Sequence, residues 1–522
     1  MPMKQRSRTY HSLVNSAVGM LTAVLNVALN FLVRVAIVRS LGEEINGLHS
    51  LFQNIINIIA VVEASMCTAM LIHLYEPIKH DDVQELSKIL GFYRRIYRAL
   101  AAGFLVVGGV LNLFLGQLIT TDIPMPQVHA YFFIFTLSVA VGYLTYTYRL
   151  ILFAAQKNRI SALATLFAEV VFRGGAALTA IVLQNYAVFL LCFIGEKLCG
   201  NLICRFCVRR MYPGIRYSSK GAAYGPLRTK VLGTVKPLLV SRVADIAQNS
   251  SQSILISLLL GNLAIVGYYG NYALVVGSVG LLYSQLGAAF TSSFGNLATE
   301  KEPARMKRAY LRAVTLMSIP TTVICAGFAV CIQDFIALVF GPGFLLSGTA
   351  VWILTATMFV TLINIPVVSV QNAMGLHRCD APMMVLQAVL AVALGYLGGR
   401  FFGMEGILLG MLLPLIAFTT VNKGFRVLRL AFGAHWREHT LTVLMLTGKA
   451  VLACGVCAAA CSFIGSGSFL VNILLKGCTA ILLSLIIFHF TSLGNSWYNE
   501  LIRTVWKRAA SLYRKYVRKG AD

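Results

Sequence analysis

Acidic residues are scarce in this sequence, and so is charge of either sign. Of 522 residues, 19 are Asp or Glu, and charged side chains make up 12% of the chain, whereas an ordinary soluble domain carries about 25%. Hydrophobic residues account for 58%, more than a soluble core of this length can bury. The composition therefore excludes a secreted module, a disordered chain and a soluble enzyme, and it indicates a polytopic membrane protein.

Motifs for the common catalytic and metal chemistries are also missing. No G-x-x-x-x-G-K-[ST] segment occurs, since Gly448-Lys449 lacks the upstream glycine and the following Ser or Thr. No His/Asp/Ser arrangement marks a hydrolase, and no Cys pair has a His or second Cys pair near enough for a four-ligand zinc site. We therefore expect neither an enzyme nor a bound metal or cofactor. Any transport by this chain is expected to proceed without ATP hydrolysis of its own.

Long apolar runs are abundant. A membrane-spanning helix needs about 20 mostly apolar residues, and the sequence predicts an all-α protein with about fourteen such helices. The predicted spans are 12–38, 46–72, 99–119, 130–153, 161–183, 187–207, 234–260, 264–292, 311–332, 346–372, 382–398, 404–423, 441–463 and 469–491. The segment 81–98, with apolar residues at helical spacing beside several bases, is predicted to be a separate helix lying on the membrane surface.

The 44 Lys and Arg residues are distributed unevenly between the loops. Loops on one side of the predicted membrane hold nearly all of the bases outside the spans, whereas the other side holds Arg39 and Arg400 alone. Because cytoplasmic loops carry the positive excess, we expect both termini in the cytoplasm.

The largest hydrophilic break divides the chain after the sixth span. The predicted organisation is an N-terminal six-helix bundle, a cytoplasmic basic linker, a C-terminal six-helix bundle, two further membrane helices, and a cytoplasmic basic amphipathic tail, at 1–207, 208–233, 234–423, 424–491 and 492–522. A weak internal repeat agrees with this division. Leu41-Gly42 is followed by Gly47, and Leu260-Gly261 is followed by Gly267. The copies share one orientation, which predicts two halves related by a pseudo-two-fold axis along the membrane normal.

Two of the predicted spans carry a polar stripe. Asn26, Asn30 and Arg34 step by four along the first span, and Arg242 and Asp245 begin a similar stripe on the seventh. Polar residues on one face of an apolar helix are typical of a helix that lines a cavity. Since these helices open the two predicted halves, we expect both stripes to wall a central cavity between the halves.

Ionisable residues at membrane depth are the main pointers to function, because burying them is costly. Ten occur, six basic and four acidic: Arg34, Glu63, Glu169, Arg173, Glu196, Lys197, Arg242, Asp245, Lys449 and Lys476. Glu169 with Arg173, and Arg242 with Asp245, are either structural pairs or cavity-facing groups. The basic excess suits an anionic headgroup, such as a lipid-linked pyrophosphate, better than a cationic drug.

Several separated segments resemble bacterial polysaccharide flippases of the Wzx type, in the multidrug/oligosaccharidyl-lipid/polysaccharide (MOP) exporter superfamily. These segments are RVAIVRSLGEEINGLHSL at 34–51, VVEASMCTAMLIHLYEPIKHDD at 61–82, YRRIYR at 93–98, ILISLLLGNLAIVGYYGNYALV at 254–275, FTSSFGNLATE at 290–300 and GMEGILLGMLL at 403–413. The resemblance implies two six-helix bundles facing a central cavity, with two additional helices. Many relatives read Thr-Asp where this chain has Ser251-Gln252, so an acidic coupling role does not transfer to that position.

The resemblance implies alternating-access movement of an undecaprenyl-pyrophosphate-linked oligosaccharide from the inner to the outer leaflet of the bacterial cytoplasmic membrane for polysaccharide biosynthesis. We expect the substrate to be bound by Arg34, Arg242, Arg173, Lys197, Asn30 and Asn26. Charge tuning, or binding of a coupling H⁺ or Na⁺, is expected at Glu63, Asp245 and Glu169. Glycosyltransferases or a polysaccharide polymerase are the expected protein partners, and nucleic acid is not expected.

Three other functions remain open from the sequence. The first is a multidrug exporter on the same scaffold, against which the basic excess of buried charge speaks. The second is a flippase for the peptidoglycan precursor, lipid II, which differs in its cargo. The third is a scaffold for glycosyltransferases that does not transport.

Overall fold

The computed structural model describes residues 8–80, 82–155, 157–215, 250–300, 302–433, 436–494, 498–500, 502 and 503, together with the single residues 229, 235, 239 and 243. Within these ranges the regular elements are all helical. In chain order they are α1 Arg8–Leu41, α2 Glu43–Ile72, α3 Tyr75–Lys79, α4 Val83–Leu113, α5 Leu115–Leu118, α6 Met125–Leu144, α7 Thr147–Ala154, α8 Asn158–Leu183, α9 Tyr186–Met211, α10 Ser250–Leu260, α11 Leu263–Glu300, α12 Pro303–Val339, α13 Gly348–Ile363, α14 Ile365–Met374, α15 His377–Pro414, α16 Gly424–Phe432, α17 Trp436–Cys461 and α18 Phe469–Ser492. A short 3₁₀ turn, Pro342–Phe344, precedes α13, and a π-helix, Leu415–Lys423, separates α15 from α16.

Twelve candidate membrane spans are found among the described residues. One of them, Asp380–Phe432, contains a hairpin, because α15 reverses at Gly403 with φ 60° and ψ −138°. A Cβ placed on Gly398 would overlap the backbone of Gly406, so the two arms touch backbone to backbone. The arms correspond to the predicted spans 382–398 and 404–423. Of the predicted seventh span, 234–260, the structure describes mainly α10. The predicted all-helical, many-span fold is confirmed.

The predicted surface helix at 81–98 is wrong as a separate element. It is the first half of α4, which continues without a break to Leu113. Leu90, Tyr93 and Tyr97 are fully buried, and the Tyr93 hydroxyl donates to the Met70 carbonyl at 3.0 Å. An apolar stripe with a period of 3.6 residues looks the same whether it faces lipid or a protein core. The predicted amphipathic tail, 492–522, lies mostly outside the described residues.

Two compact units can be distinguished from the backbone. The first comprises Met1–Leu282 and Met384–Gly410, and the second comprises Tyr283–Met383 and Met411–Asp522. The predicted boundary at 208–233 falls mostly outside the described part of the chain, so the predicted domain division stays a prediction.

In the first unit, α8 packs against α1 and α9, and α6 packs against α4 and α9. Aromatic rings fill the space between α2, α6 and α9, where Phe52 meets Phe132 at 5.0 Å and Phe189 meets Phe193 at 5.3 Å between ring centroids. In the second unit, α12 packs against α13, α17 and α18. A half-buried ion pair joins α12 to α18, with 2.7 Å between Lys476 Nζ and Asp334 Oδ2.

Candidate binding site

The two copies of the predicted repeat form similar turns. Gly42 links α1 to α2 with φ 93°, and Gly261 links α10 to α11 with φ 59°. Both values lie in the left-handed region, which glycine enters without the steric cost that a Cβ imposes. Each turn therefore requires its glycine, and each starts a new helix one or two residues later.

The helices that follow these turns cross at close range. A Cβ on Gly47 of α2 would overlap the carbonyl group of Leu263 on α11. A Cβ on Gly267 would lie 2.8 Å from Asn46 Nδ2 and 3.0 Å from the Gly47 nitrogen. The backbones of α2 and α11 thus meet at the second glycine of each repeat. We call this contact the α2–α11 crossing.

Arg34 reaches into the α2–α11 crossing from α1. Its Nε donates to Asn271 Oδ1 at 2.8 Å, and its Nη2 donates to Ser50 Oγ at 2.5 Å and to the Gly267 carbonyl at 3.4 Å. The residue is 8% exposed. Gly270 provides the space, since a Cβ there would overlap the guanidinium. Among the described residues, every acceptor of Arg34 is uncharged.

A polar cavity of about 430 Å³ adjoins Arg34 in the first unit. Its polar walls are Asn30 and Arg34 of α1, His49, Gln53 and Asn54 of α2, and Arg173 of α8. The formally charged residues among its described lining are Arg34 and Arg173, and no carboxylate belongs to that lining. The cavity therefore has a basic wall.

The charge of Arg173 is compensated from outside the cavity. Arg173 Nε lies 2.9 Å from Glu196 Oε2, and Arg173 Nη2 lies 3.1 Å from Glu169 Oε1. Lys197 completes the group, with 2.8 Å between its Nζ and Glu196 Oε1. The four residues sum to zero formal charge. We call them the α8–α9 charge cluster.

Two asparagines of α1 belong to the same network. Asn26 Nδ2 donates to Glu169 Oε1 at 2.7 Å, and Arg173 Nη1 donates to Asn30 Oδ1 at 2.7 Å. Asn30 Nδ2 also donates to Asn26 Oδ1 at 2.8 Å. The predicted stripe is therefore divided: its first two members serve the charge cluster, and Arg34 serves the α2–α11 crossing. Of the two alternatives for Glu169 and Arg173, the structure shows the ion pair, and Arg173 also lines the cavity.

Lys197 lies in a different and smaller cavity, of about 170 Å³, which Glu196, Arg149 and Asn201 also line. Arg149 donates through Nε to Asn201 Oδ1 and through Nη1 to Thr165 Oγ1, both at 2.6 Å. Sequence reasoning missed Arg149 because it lies close to the predicted end of its span. The substrate-binding role predicted for Lys197 stays a prediction.

Glu63 is placed apart from both cavities. It is half-buried in α2, and Tyr97 donates to its Oε1 at 3.4 Å. No ion pair to Glu63 is found among the described residues. Its predicted coupling role is therefore neither supported nor opposed by this contact. Arg242 and Asp245, the other predicted pair, lie outside the described residues.

A polar stripe on α2 was not singled out from the sequence, although the signal is present. Asn46, Ser50, Asn54 and Asn57 recur every three or four residues within a predicted span. Ser50 contacts Arg34, and Asn54 Nδ2 donates to Ser253 Oγ at 3.0 Å. The same periodicity that identified the α1 stripe identifies this one.

The second unit contains a cavity of different character. It measures about 530 Å³ and is lined mainly by apolar side chains of α12, α13, the π-helix and α17. Thr355, Thr420 and His439 are buried polar residues of its lining, and a ring nitrogen of His439 lies 2.8 Å from the Thr420 carbonyl. A buried ion pair also belongs to this unit, with 3.0 Å between Lys423 Nζ and Asp380 Oδ2.

Comparison with known proteins gives a fold and no close relative. No family model and no curated protein matches the sequence. An inward-facing multidrug resistance MATE family transporter of the MOP superfamily is similar in structure, with a TM-score of 0.64 and 14% identity over 83% of this chain and 99% of that chain. Lipid II flippase MurJ, in an inward closed conformation, gives a TM-score of 0.63 and 13% identity over 95% of this chain and 99% of its own. The Vibrio cholerae MATE transporter VcmN gives a TM-score of 0.54 and 14% identity over 82% of this chain and 97% of its own. The chain is a multi-pass membrane protein with the fold that these transporters share.

Proposed function

We propose that this protein is a flippase that moves an undecaprenyl-pyrophosphate-linked oligosaccharide from the inner to the outer leaflet of a bacterial cytoplasmic membrane. One observation carries the proposal. Arg34 is a buried guanidinium whose described acceptors are all uncharged, and it forms part of the wall of a polar cavity. We propose that the diphosphate of the lipid-linked sugar binds to it.

The electrostatics of the cavity favour an anion. A buried charge is costly unless an opposite charge accompanies it. The α8–α9 charge cluster already contains its own compensation, whereas Arg34 has neutral partners. A phosphate oxyanion would supply the missing charge through charge-assisted hydrogen bonds, which are about twice as strong as neutral ones.

The size of the cavity is compatible with this cargo. Its volume of about 430 Å³ is more than tenfold the roughly 30 Å³ that a water molecule occupies in the liquid. A diphosphate with part of its hydration shell fits that space. The amides of Asn30, Gln53 and Asn54 along the wall offer donors and acceptors for sugar hydroxyl groups. The polyprenyl tail is expected to stay in lipid, at a gap between helices.

The charge of the cavity argues against a multidrug exporter. The described lining of the cavity holds two arginines and no carboxylate, and cationic drugs require the opposite balance. Fold similarity does not distinguish a drug exporter from a lipid flippase, since the inward-facing MATE transporter and MurJ match with nearly equal TM-scores. A lipid II flippase is the second candidate. The MurJ alignment extends over 95% of this chain, against 83% for the MATE transporter.

Topology and driving force follow from charge. With both termini in the cytoplasm, as the basic loops predict, the cargo enters from a negative interior. An anionic headgroup that moves outward through the field gains about 2.3 kcal/mol per charge per 100 mV. The membrane potential would therefore assist the transport, with H⁺ or Na⁺ as a further coupling ion. Glycosyltransferases and a polymerase remain the proposed partners.

The test is a leaflet assay with purified protein in vesicles. Fluorescent undecaprenyl-pyrophosphate oligosaccharide is placed in one leaflet, and its appearance in the other is followed by quenching. We expect Arg34→Ala to abolish translocation and Arg34→Lys to restore a fraction of it. Lysine keeps the positive charge but lacks the pair of parallel N–H donors that a guanidinium offers to a phosphate. The matched control is Arg205→Ala on α9, where the guanidinium lies 5.9 Å from the ring centre of Tyr148 and outside the cavity lining.

The same vesicles distinguish the alternatives. Translocation of lipid II but not of the undecaprenyl-pyrophosphate oligosaccharide would identify a peptidoglycan-precursor flippase. Accumulation of a cationic dye without lipid movement would identify a drug exporter. Wild-type protein that moves neither lipid nor dye would favour the scaffold function. Full activity of Arg34→Ala would remove the proposed headgroup site.

A further inference from the structure

The donors of Arg34 are unequally used. A guanidinium has five N–H groups, one on Nε and two on each terminal nitrogen. Nε donates to Asn271, and Nη2 donates to Ser50 and to the Gly267 carbonyl. Nη1 donates to none of the described residues. Among the described residues, Nη1 is thus free to bind a ligand, whereas Nε and Nη2 are occupied by neutral acceptors.

The occupied side holds helices together. Ser50 belongs to α2, and Asn271 and Gly267 belong to α11, so the guanidinium joins three helices at the α2–α11 crossing. The crossing is dense, because Gly47, Gly267 and Gly270 each lack a side chain where backbone or guanidinium atoms approach. Such a contact depends on correct placement of the arginine between the helices.

Phosphate binding competes for the same donors. Arginine grips a phosphate with two parallel N–H groups, either Nη1 with Nη2 or Nε with Nη2. Both arrangements require Nη2. The anion therefore cannot accept two parallel hydrogen bonds from Arg34 while Ser50 and the Gly267 carbonyl accept from both Nη2 hydrogens.

We propose that Arg34 is an anion-released clamp on the α2–α11 crossing. A phosphate group that enters the cavity binds first at the free Nη1, and it then takes Nη2 from Ser50 and Gly267. The exchange breaks the link that Arg34 Nη2 makes between Ser50 of α2 and the Gly267 carbonyl of α11, while the Nε bond to Asn271 stays, so that occupation of the site loosens the crossing. This inference rests on the proposed function, because it requires that an anion bind at Arg34.

The clamp also discriminates between cargoes. A phosphate oxyanion makes stronger bonds to the guanidinium than a hydroxyl or amide oxygen does, so it displaces the neutral acceptors. A free sugar offers oxygen atoms of the same kind as Ser50 and gains nothing by the exchange. A cation is repelled. The crossing would therefore respond to the diphosphate part of the cargo and not to its glycan.

The clamp predicts that Ser50→Ala increases the affinity for the anion, opposite to the effect expected of a positioning residue. If Ser50 merely positioned Arg34, its removal would weaken anion binding. If Ser50 competes with the anion, its removal strengthens binding. The Ser50 hydroxyl otherwise donates to the Asn46 carbonyl of its own helix, so the main group that alanine leaves without a partner is the Nη2 hydrogen that the anion would take. Ser65→Ala on the same helix is the matched control, because its hydroxyl is equally buried and donates to the Val61 carbonyl.

The experiment uses full-length protein in lipid nanodiscs and inorganic pyrophosphate as the probe. Calorimetry gives the dissociation constant, and hydrogen exchange with mass spectrometry follows the amides of 263–273. We expect pyrophosphate to accelerate exchange in this segment of the wild type. Ser50→Ala should bind about 2- to 10-fold more tightly, the range that one hydrogen bond of ordinary strength supplies. Ser65→Ala should behave as the wild type, and Arg34→Lys should show no acceleration.

The outcomes separate the clamp from the site. Weaker or unchanged binding by Ser50→Ala, or exchange that pyrophosphate does not alter, overturns the clamp while leaving Arg34 as an anion site. Binding that survives Arg34→Ala unchanged overturns both the clamp and the proposed headgroup site. Ser50→Cys provides a second variant should Ser50→Ala fail to fold, because a thiol is a weak acceptor, and an increase in affinity is expected there too.

Discussion

Gly47 and Leu263 meet backbone to backbone, and a Cβ on Gly47 would overlap the Leu263 carbonyl. The contact holds α2 against α11 at the place where Arg34 inserts. Because neither backbone can withdraw as a flexible side chain could, the α2–α11 crossing depends on the absence of a single carbon atom. This dependence gives the first prediction.

Gly47→Val is expected to destabilise the first unit by more than the 1–3 kcal/mol typical of an overpacked core, because the clash is with backbone. The measurement is the midpoint of thermal unfolding in detergent, read from loss of the gel-filtration peak. Gly109→Ala on α4 is the matched control, since nothing lies within 4 Å of its added Cβ. Equal midpoints for the two variants would show that the α2–α11 crossing tolerates a side chain at Gly47.

The α8–α9 charge cluster gives a second prediction. Glu196→Gln leaves Arg173 and Lys197 short of one carboxylate at a site where Glu196 is 3% exposed. Loss of one partner from a buried pair costs about 3–5 kcal/mol, so we expect a clear fall in the unfolding midpoint. Adding Arg173→Gln should restore part of it.

The control for the charge cluster is a solvent-exposed pair. Arg305 Nε lies 2.9 Å from Glu302 Oε2, and both side chains are 55% exposed. Glu302→Gln should change stability by less than about 1 kcal/mol. If Glu196→Gln were as mild as this control, the carboxylate would be hydrated, and its compensation of Arg173 would carry little energy.

A third prediction concerns the ion pair between α12 and α18. Lys476, one of the ionisable residues predicted at membrane depth, pairs with Asp334, and Asn472 Nδ2 also donates to Asp334 Oδ1 at 3.3 Å. Lys476→Met should destabilise the second unit, and Lys476→Met with Asp334→Leu should recover stability, because the uncompensated carboxylate is gone. A double-mutant cycle on unfolding midpoints measures the coupling. Additive effects would contradict the pairing.

A fourth prediction addresses coupling at Glu63. We expect Glu63→Gln to remove the dependence of translocation on an imposed H⁺ or Na⁺ gradient while leaving pyrophosphate binding unchanged, because Glu63 does not belong to the described lining of the Arg34 cavity. Initial rates in vesicles with and without each gradient provide the measurement. Tyr97→Phe, which removes the hydrogen bond to Glu63 Oε1, should alter the dependence far less. A gradient response that persists in Glu63→Gln would place coupling elsewhere.

Sequence periodicity correctly predicted which residues share a polar helix face, but it did not predict their hydrogen-bond partners. The spacing of Asn26, Asn30 and Arg34 gave a common stripe, and the structure turns all three toward polar groups. Apart from Ser50 on α2 and the bond between the two asparagines, their partners lie on α8 and α11, more than a hundred residues away. Nothing in local spacing distinguishes such partners, because they are brought together by helix packing.

The same limit explains the misplaced surface helix. Tyr93 and Tyr97 fall on an amphipathic face, and that face is equally suited to lipid headgroups or to a protein interior. The two turn glycines could be interpreted from the sequence more directly than the aromatic residues. Gly42 and Gly261 were noticed as a weak repeat, and both adopt positive φ at a helix–helix turn. A residue type with one special conformational property carries local information that survives without tertiary context.

The hairpin of α8 and α9 bears on how the chain enters the bilayer during synthesis. Two residues, Gln184 and Asn185, join the helices, so Arg173 and Glu196 meet as soon as the hairpin closes. Either helix alone would bring charged groups into hydrocarbon, whereas the closed pair presents a neutral, internally bonded unit. The insertion machinery is therefore expected to release α8 and α9 together, and a stall between them would expose the nascent chain to quality control.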